Sequence, residues 1–297
     1  MSTERFGDSA RIGLVGLGIM GAPIAQRVRE KGHPVTAWNL EPERFELVRD
    51  DGVVWVDSPA DVWAACDVAF VCVLGDPALE GVCLGERGFA RGGKGARMLV
   101  DLSTSSPEAT LRIARDFAAA TGAGWVDAPM SGGPLAAREG NLTLMIGGER
   151  EACDAVMPLL SLIASNVTRM GDLGAGQTAK ILNQAIVGVN YVLMAELLKT
   201  ATAAGIDPAL LPGALKGGMA DSTIVQRIYT QMVAQDFDPP RSYARQLDKD
   251  LKSVLHFVHD LGLDLPVLET AIARYRGWAQ DGNEMRDSAS VSRAYGV

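Results

Sequence analysis

In the first half of the chain, short apolar runs alternate with segments in which apolar residues recur every three or four positions. Short apolar runs predict buried strands, and the longer period predicts helices that pack against them. We predict strands over 11–15, 34–38, 53–56, 68–74, 98–102, 124–127 and 142–147, and helices over 19–31 and 42–50. This alternation predicts an α/β fold, with a doubly wound, mostly parallel sheet that has helices on both faces.

The pattern changes near Gly171, and no convincing strand follows Gln177. Residues 180–204 form a long, mainly apolar stretch, which predicts a helix that is buried on most sides. Further helices are predicted over 208–215, 222–233, 247–261 and 266–280. We therefore predict an α/β domain over 1–173 and an all-α domain over 174–297, joined by the long helix.

Bulk composition narrows the class of protein. A length of 297 residues is typical of two domains. The net charge of −8 argues against a nucleic-acid partner, which would call for a basic face. The four cysteines and three histidines show no metal-ligand spacing, so we predict no metal site. The N-terminus is polar and no apolar stretch reaches the roughly 18 residues of a membrane span, so we expect no membrane association and a cytoplasmic location.

The loop Gly16-Leu17-Gly18-Ile19-Met20-Gly21 follows a predicted strand and opens a predicted helix. In that context a Gly-x-Gly-x-x-Gly motif indicates a dinucleotide site, because its glycines allow a tight turn, close approach to a pyrophosphate and close packing of helix on strand. The residue that ends the second strand normally selects NAD or NADP. Here it is Asn39, which carries no charge, and Leu40 after it supplies no cation. Arg44 is the nearest cation and could reach a 2′-phosphate, whereas Glu41 would oppose one, so the choice between NAD and NADP stays open.

Two later segments are candidates for the chemistry. In the first, Ser131, Gly132 and Gly133 offer a hydroxyl and two amide N–H groups that suit a carboxylate, although an ordinary loop after a strand is an equal alternative. In the second, Asn183 and Gln184 lie three and four residues after Lys180, on the same helix face. A lysine at the start of an apolar helix favours functional use, and the alternative is a side chain that extends to solvent at the helix end.

Several motifs, in this order, resemble the β-hydroxyacid dehydrogenase family, which includes 3-hydroxyisobutyrate dehydrogenases and tartronate semialdehyde (2-hydroxy-3-oxopropionate) reductases. The resemblance extends from Arg11 to about Ser290 and is strongest toward the tartronate semialdehyde reductases. The matching motifs are Gly16-Leu-Gly-Ile-Met-Gly-Ala-Pro23, Asp101-Leu-Ser-Thr104, Asp127-Ala-Pro-Met-Ser-Gly-Gly133, Gly174-Ala-Gly-Gln-Thr-Ala-Lys180 and Lys249-Asp250-Leu251.

The resemblance implies roles for individual residues. Lys180 matches the catalytic lysine, which would protonate the developing alkoxide in reduction and take that proton in oxidation. The substrate's carboxylate and reacting oxygen would be bound by Ser131, Gly132, Gly133, Asn183 and Gln184. The cofactor would be bound by the loop 16–21 together with Asn39, Leu74, Gly75, Thr104 and Lys249. The first domain would be a Rossmann domain, and the helical domain would serve the substrate and oligomerisation.

This chain departs from the family pattern in two places. The family usually has Leu-Pro where this chain has Leu74-Gly75. The segment from Phe237 to Lys249 has one extra residue, with Ser242 near the place of a usual aromatic. Because that segment would line the substrate pocket, the resemblance indicates a small 3-hydroxy acid or its semialdehyde without fixing which one.

Three other classes of protein remain as alternatives to a hydroxyacid dehydrogenase. An imine reductase would share the architecture but generally lacks the lysine. A phosphogluconate dehydrogenase usually has His-Asn in place of Asn183-Gln184 and a longer helical domain. A non-catalytic dinucleotide-binding sensor would not need Lys180 or the 131–133 segment. Apolar surface around 187–198 indicates a homodimer or homotetramer.

Overall fold

A computed structural model describes residues 6, 7 and 9–297. The chain divides into two compact units, one extending to Lys180 and the other beginning at Ile181. The first unit is the α/β unit and the second is helical, which confirms the predicted fold class. The domain boundary between 173 and 174 stays a prediction.

In its described residues, the first unit contains a nine-stranded sheet and six complete α-helices. The strands are β1 (Ile12–Val15), β2 (Val35–Trp38), β3 (Val54–Trp55), β4 (Val68–Val71), β5 (Met98–Asp101), β6 (Gly124–Asp127), β7 (Met130–Ser131), β8 (Leu142–Gly147) and β9 (Ala164–Gly171). The helices are α1 (Gly21–Glu30), α2 (Pro59–Ala65), α3 (Gly75–Leu84), α4 (Pro107–Thr121), α5 (Gly133–Glu139) and α6 (Arg150–Leu160).

The sheet is parallel over most of its width. Its order is β3-β2-β1-β4-β5-β6-β8-β7, with β9 paired to β8. The strands from β3 to β6 in this order are parallel, whereas β8 runs antiparallel to both β6 and β7. The chain winds outward from β1 in both directions, so the carboxyl ends of β1 and β4 border the crevice where doubly wound sheets bind their ligands.

Side chains on the central strands alternate between two hydrophobic cores, one on each face of the sheet. On β4, Val68 and Phe70 belong to one core, and Ala69 and Val71 belong to the other. Both faces are covered, which is why these strands read as continuous apolar runs in the sequence. The second face holds a cluster of four aromatic rings that meet in tilted or edge-to-face pairs, with centroid separations of 5.1 to 6.5 Å: Trp63, Phe89, Phe117 and Trp125.

The structure corrects some predicted elements of this unit. The segment predicted as a helix over 42–50 forms 3₁₀ turns at Pro42–Leu47 and Arg49–Asp51. Strands β7 and β9 were not predicted. Strand β7 has only two residues, and β9 exposes about half of its side chains, so neither has a clear apolar signal.

The second unit is built from helices. A long helix, α7 (Ala175–Ala203), begins in the first unit, and α8 (Leu211–Leu215), α9 (Thr230–Ala234), α10 (Ala244–Asp260) and α11 (Pro266–Gln280) follow. No strand follows β9 in the described part of the chain, as predicted; only an isolated bridge joins Tyr243 to Asp287. The helices predicted over 208–215 and 222–233 instead begin with a 3₁₀ turn at Pro208–Leu210 and a π-helix at Ile224–Tyr229.

Helix α7 contradicts the prediction that no apolar stretch has the length of a membrane span. Its length and its mean hydropathy of 1.5 over 18 residues would suffice to cross a membrane. Several of its side chains belong to the core of the second unit, namely Ile181, Ala185, Val192, Met194, Ala195 and Leu198. A core helix of a globular domain has the same composition, so this feature is weak evidence for a membrane span.

Candidate functional site

The glycine loop leads from β1 into α1, as the sequence predicts. Gly16 has a φ of +102°, and a Cβ there would collide with the backbone oxygen of Cys72. A Cβ on Gly21 would collide with the oxygen of Gly16. Both positions therefore require glycine, one for the turn and one for the close contact between the helix and the loop.

The same loop has the donors that a pyrophosphate needs. A Cβ on Gly18 would have no atom within 4 Å, so this side of the loop is open. Within the described residues, the backbone N–H groups of Gly18, Ile19 and Met20 donate to no other group. The first turn of α1 carries no acidic residue, so the positive end of the helix dipole is not offset. These features fit a bound dinucleotide.

Asn39 lies directly after β2 and contacts the glycine loop. Its Oδ1 accepts a hydrogen bond of 2.7 Å from the Leu17 N–H. Its Nδ2 donates to the backbone oxygen of Glu41 at 3.0 Å and to Glu41 Oε2 at 2.8 Å. Asn39 thus joins the end of β2 to the loop that follows β1.

Three further predicted cofactor residues follow β4 and β5 at the same edge of the sheet. Leu74 is largely exposed and Gly75, with a φ of +79°, begins α3. Thr104 follows β5 and is half-buried. The two loops are joined by Ser103, whose Oγ accepts a 3.0 Å hydrogen bond from the Val73 N–H. The predicted cofactor residues of the first unit therefore share the carboxyl edge of the parallel strands.

The Asp101 carboxyl lies beneath these loops and is fully buried. Its Oδ1 accepts a 2.9 Å hydrogen bond from the Ser103 N–H, and its Oδ2 has no partner among the described residues. Burial, with the charges of Asp127 and Asp76 as smaller causes, raises the pKa of Asp101 to about 7. Sequence reasoning treated Asp101 only as part of a motif and missed this buried acid.

Asp127, at the end of β6, fixes the beginning of α7. Its Oδ1 accepts a hydrogen bond of 2.8 Å from the Gly174 N–H, and its Oδ2 accepts one of 2.9 Å from the Gln177 N–H. A Cβ on Gly176 would lie 2.7 Å from Asp127 Oδ2, so glycine is needed there. Burial raises the pKa of the Asp127 carboxyl, and these N–H groups partly offset that rise.

Gln177 makes a second attachment. Its Nε2 donates to the Ser103 oxygen at 2.9 Å, and its Oε1 accepts from the Ser105 N–H at 3.1 Å. Lys180 lies one turn farther along α7 and is only 8% exposed. The first turn of the helix that carries Lys180 is thus attached to the loops after β5 and β6. Asp127 and Gln177 were not predicted as site residues, because their roles arise from contacts between distant segments.

The segment predicted to bind the substrate carboxylate, residues 131–133, lies at β7, the last strand in the sheet order. Ser131 is half-buried and ends β7, where it pairs with Thr143 of β8. Gly132 and Gly133 both have positive φ, +136° and +83°, a conformation that favours glycine. The next helix, α5, begins at Gly133.

In the second unit, four polar residues form a hydrogen-bonded chain. Asn183 Nδ2 donates to Gln184 Oε1 at 2.8 Å, and Gln184 Nε2 donates to Asp250 Oδ2 at 2.6 Å. Lys249 Nζ lies 3.2 Å from Asp250 Oδ1. The amides predicted for the substrate and the lysine predicted for the cofactor are therefore linked through Asp250. Sequence reasoning used Asp250 only as part of a motif.

Comparison with known proteins agrees with this architecture along the whole chain. Residues 11–171 match the profile of the NAD-binding domain of 6-phosphogluconate dehydrogenase, and residues 174–295 match that of NADP-dependent 3-hydroxyisobutyrate dehydrogenase. The chain is 35% identical to 2-hydroxy-3-oxopropionate reductase of Escherichia coli over 96% of each chain. It belongs to the β-hydroxyacid dehydrogenase family.

Solved structures of the family have the same fold. A 3-hydroxyisobutyrate dehydrogenase from Salmonella typhimurium superposes with a TM-score of 0.86 at 26% identity, and the match covers 96% of this chain and 100% of that one. An imine reductase from Pseudomonas sp. is more distant, with a TM-score of 0.63 at 18% identity. That match covers 97% of this chain and 99% of the imine reductase, and it shows only that the fold is shared. This β-hydroxyacid dehydrogenase is an NAD(P)-dependent oxidoreductase that acts on CH–OH groups.

Proposed function

We propose that this enzyme transfers a hydride reversibly between NAD(P) and a small 3-hydroxy acid or its semialdehyde. Its similarity to 2-hydroxy-3-oxopropionate reductase makes a three-carbon semialdehyde the first substrate to test. The observation that carries the proposal is the buried Lys180, on a helix whose first turn is fixed by Asp127 and Gln177. A buried ammonium is costly, so a lysine held there is expected to serve the chemistry.

Lys180 is proposed as the general acid and base. When bound, the nicotinamide supplies the hydride in reduction and accepts it in oxidation. As an ammonium, Lys180 gives a proton from Nζ to the substrate oxygen while the carbonyl becomes an alkoxide. As a neutral amine, it takes that proton back when the alcohol is oxidised. Fixing the first turn of α7 limits how far Lys180 moves from this oxygen.

Ser131, Gly132 and Gly133 are proposed to bind the substrate carboxylate. A hydroxyl and backbone N–H groups are good donors to a carboxylate, and the positive φ angles of the two glycines direct successive N–H groups differently from an ordinary strand. Binding the carboxylate would fix the reacting carbon at the other end of a short substrate. This is the reason to expect that short carboxylic acids are preferred.

Asn183 and Gln184 are proposed to orient the substrate oxygen and Lys180. The bond from Gln184 to Asp250 supports this role, because it holds the Gln184 amide in one orientation. For the cofactor we propose the loop 16–21 with Asn39, Leu74, Gly75, Thr104 and Lys249. We also propose that residues 1–173 form the cofactor-binding domain and that residues 174–297 form the domain for substrate binding and oligomerisation.

Replacing Lys180 tests the proposed chemistry. Lys180→Ala should lower kcat by roughly 10²–10⁴-fold, the usual contribution of a general acid. The matched control is Lys199→Ala, which removes an exposed lysine from the same helix and should leave turnover unchanged. The measurement is the change in NADH or NADPH absorbance with short 2- and 3-hydroxy acids and their semialdehydes. Near-normal turnover of Lys180→Ala would refute the assignment.

A cytoplasmic location and a homodimeric or homotetrameric state are further proposals. The homo-oligomer is supported by large apolar side chains of α7 that are exposed in the single chain, Leu182, Ile186, Leu193 and Leu197. An exposed apolar helix face of this kind is typical of a subunit interface. Sedimentation of the purified enzyme over a range of concentrations tests this proposal.

A further inference from the structure

The end of β2 normally determines whether a dinucleotide-binding domain accepts NAD or NADP, since it lies beside the adenosine ribose. In this chain Asn39 occupies that place, but its side chain is already engaged. Its Oδ1 accepts from the Leu17 N–H, and its Nδ2 donates to both the backbone oxygen and the carboxylate of Glu41. Asn39 therefore acts as a support, and the group that it presents at this corner is the Glu41 carboxylate.

Two hydrogen bonds and one backbone restriction fix Glu41. Asn39 Nδ2 holds its Oε2 at 2.8 Å. The Arg44 N–H donates to its backbone oxygen at 3.1 Å, at the start of the 3₁₀ turn. Pro42 restricts the backbone of the preceding residue to extended conformations, and Glu41 has φ −95° and ψ 105°. Its carboxylate is thus directed by both backbone and side-chain contacts.

The neighbouring residues supply little positive charge. Leu40 is 75% exposed and cannot neutralise a phosphate. Arg44 is the nearest cation in sequence, and none of the ion pairs among the described residues joins it to Glu41. A carboxylate accepts hydrogen bonds from ribose hydroxyls, whereas the 2′-phosphate of NADP would meet a like charge at close range.

We infer that Glu41, held by Asn39, makes this enzyme select NAD over NADP. The family contains NADP-dependent members, so the selection is a property of this chain. The inference rests on the dinucleotide site and is independent of the catalytic role proposed for Lys180.

Equilibrium binding of NADH and NADPH, followed by the fluorescence of the reduced nicotinamide, tests this inference without turnover. The natural enzyme should bind NADH at least roughly tenfold more tightly than NADPH, the effect of one hydrogen bond to a charged group. Glu41→Gln should reduce that ratio several-fold, by weakening NADH binding and strengthening NADPH binding. Leu40→Arg should strengthen NADPH binding because it adds a cation at the same corner.

Glu43→Gln is the matched control, because it removes the same charge from an exposed position two residues along the chain. Its NADH-to-NADPH ratio should stay within about twofold of the natural value, as expected for a screened surface charge. Equal or tighter binding of NADPH by the natural enzyme would overturn the inference, as would an equal effect of Glu41→Gln and Glu43→Gln. Lys180→Ala should keep the natural NADH-to-NADPH ratio. The binding test is thus independent of the turnover test of Lys180, and either proposal can fail without the other.

Discussion

The buried Asp101 carboxyl links two loops at the edge of the sheet where the cofactor residues lie. Its carboxyl supports Ser103, which in turn binds the loop after β4. Because Oδ2 has no partner among the described residues, ionisation of this group leaves a charge that is only partly compensated. The protonated form is therefore favoured in the folded protein at mildly acidic pH.

The raised pKa of Asp101 predicts how stability depends on pH. Between pH 3.8, the ordinary pKa of an aspartate, and about pH 7, the folded state keeps a proton on Asp101 that the unfolded state has lost. The free energy of unfolding should therefore fall as pH rises through this range, by up to about 1.4 kcal/mol per pH unit, and should level off above pH 7. In Asp101→Asn this decline should be clearly shallower, because only other groups with a raised pKa, such as Asp127, still contribute to it.

Urea unfolding of both proteins at pH 5, 6, 7 and 8 measures this difference. The control is Asp154→Asn, which replaces an exposed aspartate on α6 and should keep the decline of the natural protein. Parallel pH profiles for the natural protein and Asp101→Asn would show that Asp101 does not titrate in this range.

At the scale of the element, two glycines inside helices of the second unit have opposite surroundings. A Cβ on Gly188, in α7, would lie 3.1 Å from both Cγ and Cδ1 of Leu251 and still closer to its Cδ2. Leu251 is fully buried, so its side chain can give way only by displacing other atoms of a close-packed core. A Cβ on Gly277, in α11, would have no atom within 4 Å. The first glycine permits close packing of α7 against α10, and the second only weakens its own helix.

Substitution by alanine should therefore have opposite effects at these two positions. Gly188→Ala should lower the free energy of unfolding by about 1–3 kcal/mol because it overpacks the core. Gly277→Ala should raise it by about 0.5–1 kcal/mol because alanine restricts the unfolded chain and favours the helix. Thermal or urea unfolding of the two variants measures both effects. A stabilising Gly188→Ala would show that Leu251 can move aside.

The elements differ in how well the sequence predicts them. The run that forms β4 is apolar at every position, and the run that forms β5 is apolar up to its last residue, Asp101. Both faces of these strands are covered, and the two strands are predicted well. Strand β9 is largely polar and depends on pairing with β8, a contact that local sequence does not encode. The glycine loop is predictable because its motif is local. The support of α7 by Asp127 and Gln177 is not, because it joins residues about 50 to 74 positions apart.

For the whole molecule, the exposed apolar face of α7 is the basis for expecting self-association. Leu182, Ile186, Leu193 and Leu197 recur at helical spacing and are each more than a third exposed. Placing a charge in a buried interface costs much more than placing it on a free surface. Substitutions on this face should therefore separate an interface from ordinary exposed surface.

Ile186→Lys should shift the enzyme toward the monomer, with at least a tenfold weaker association. Leu210→Lys is the matched control, because Leu210 is also about two thirds exposed but lies outside α7. Sedimentation velocity at several concentrations measures both variants, and circular dichroism checks that each is folded. An unchanged sedimentation coefficient for Ile186→Lys, with the natural protein oligomeric, would place the interface elsewhere.

The hydrogen bonds of Asn39 have a consequence for how coenzyme preference can change. Asn39 maintains the shape of the glycine loop, while the group proposed to choose between coenzymes is two residues away on an exposed turn. The shape of the glycine loop and the selection of the coenzyme thus depend on different side chains. Substitutions at Leu40 and Glu41, in evolution or in protein engineering, should therefore alter the preferred coenzyme without changing the glycine loop, as long as Asn39 is kept.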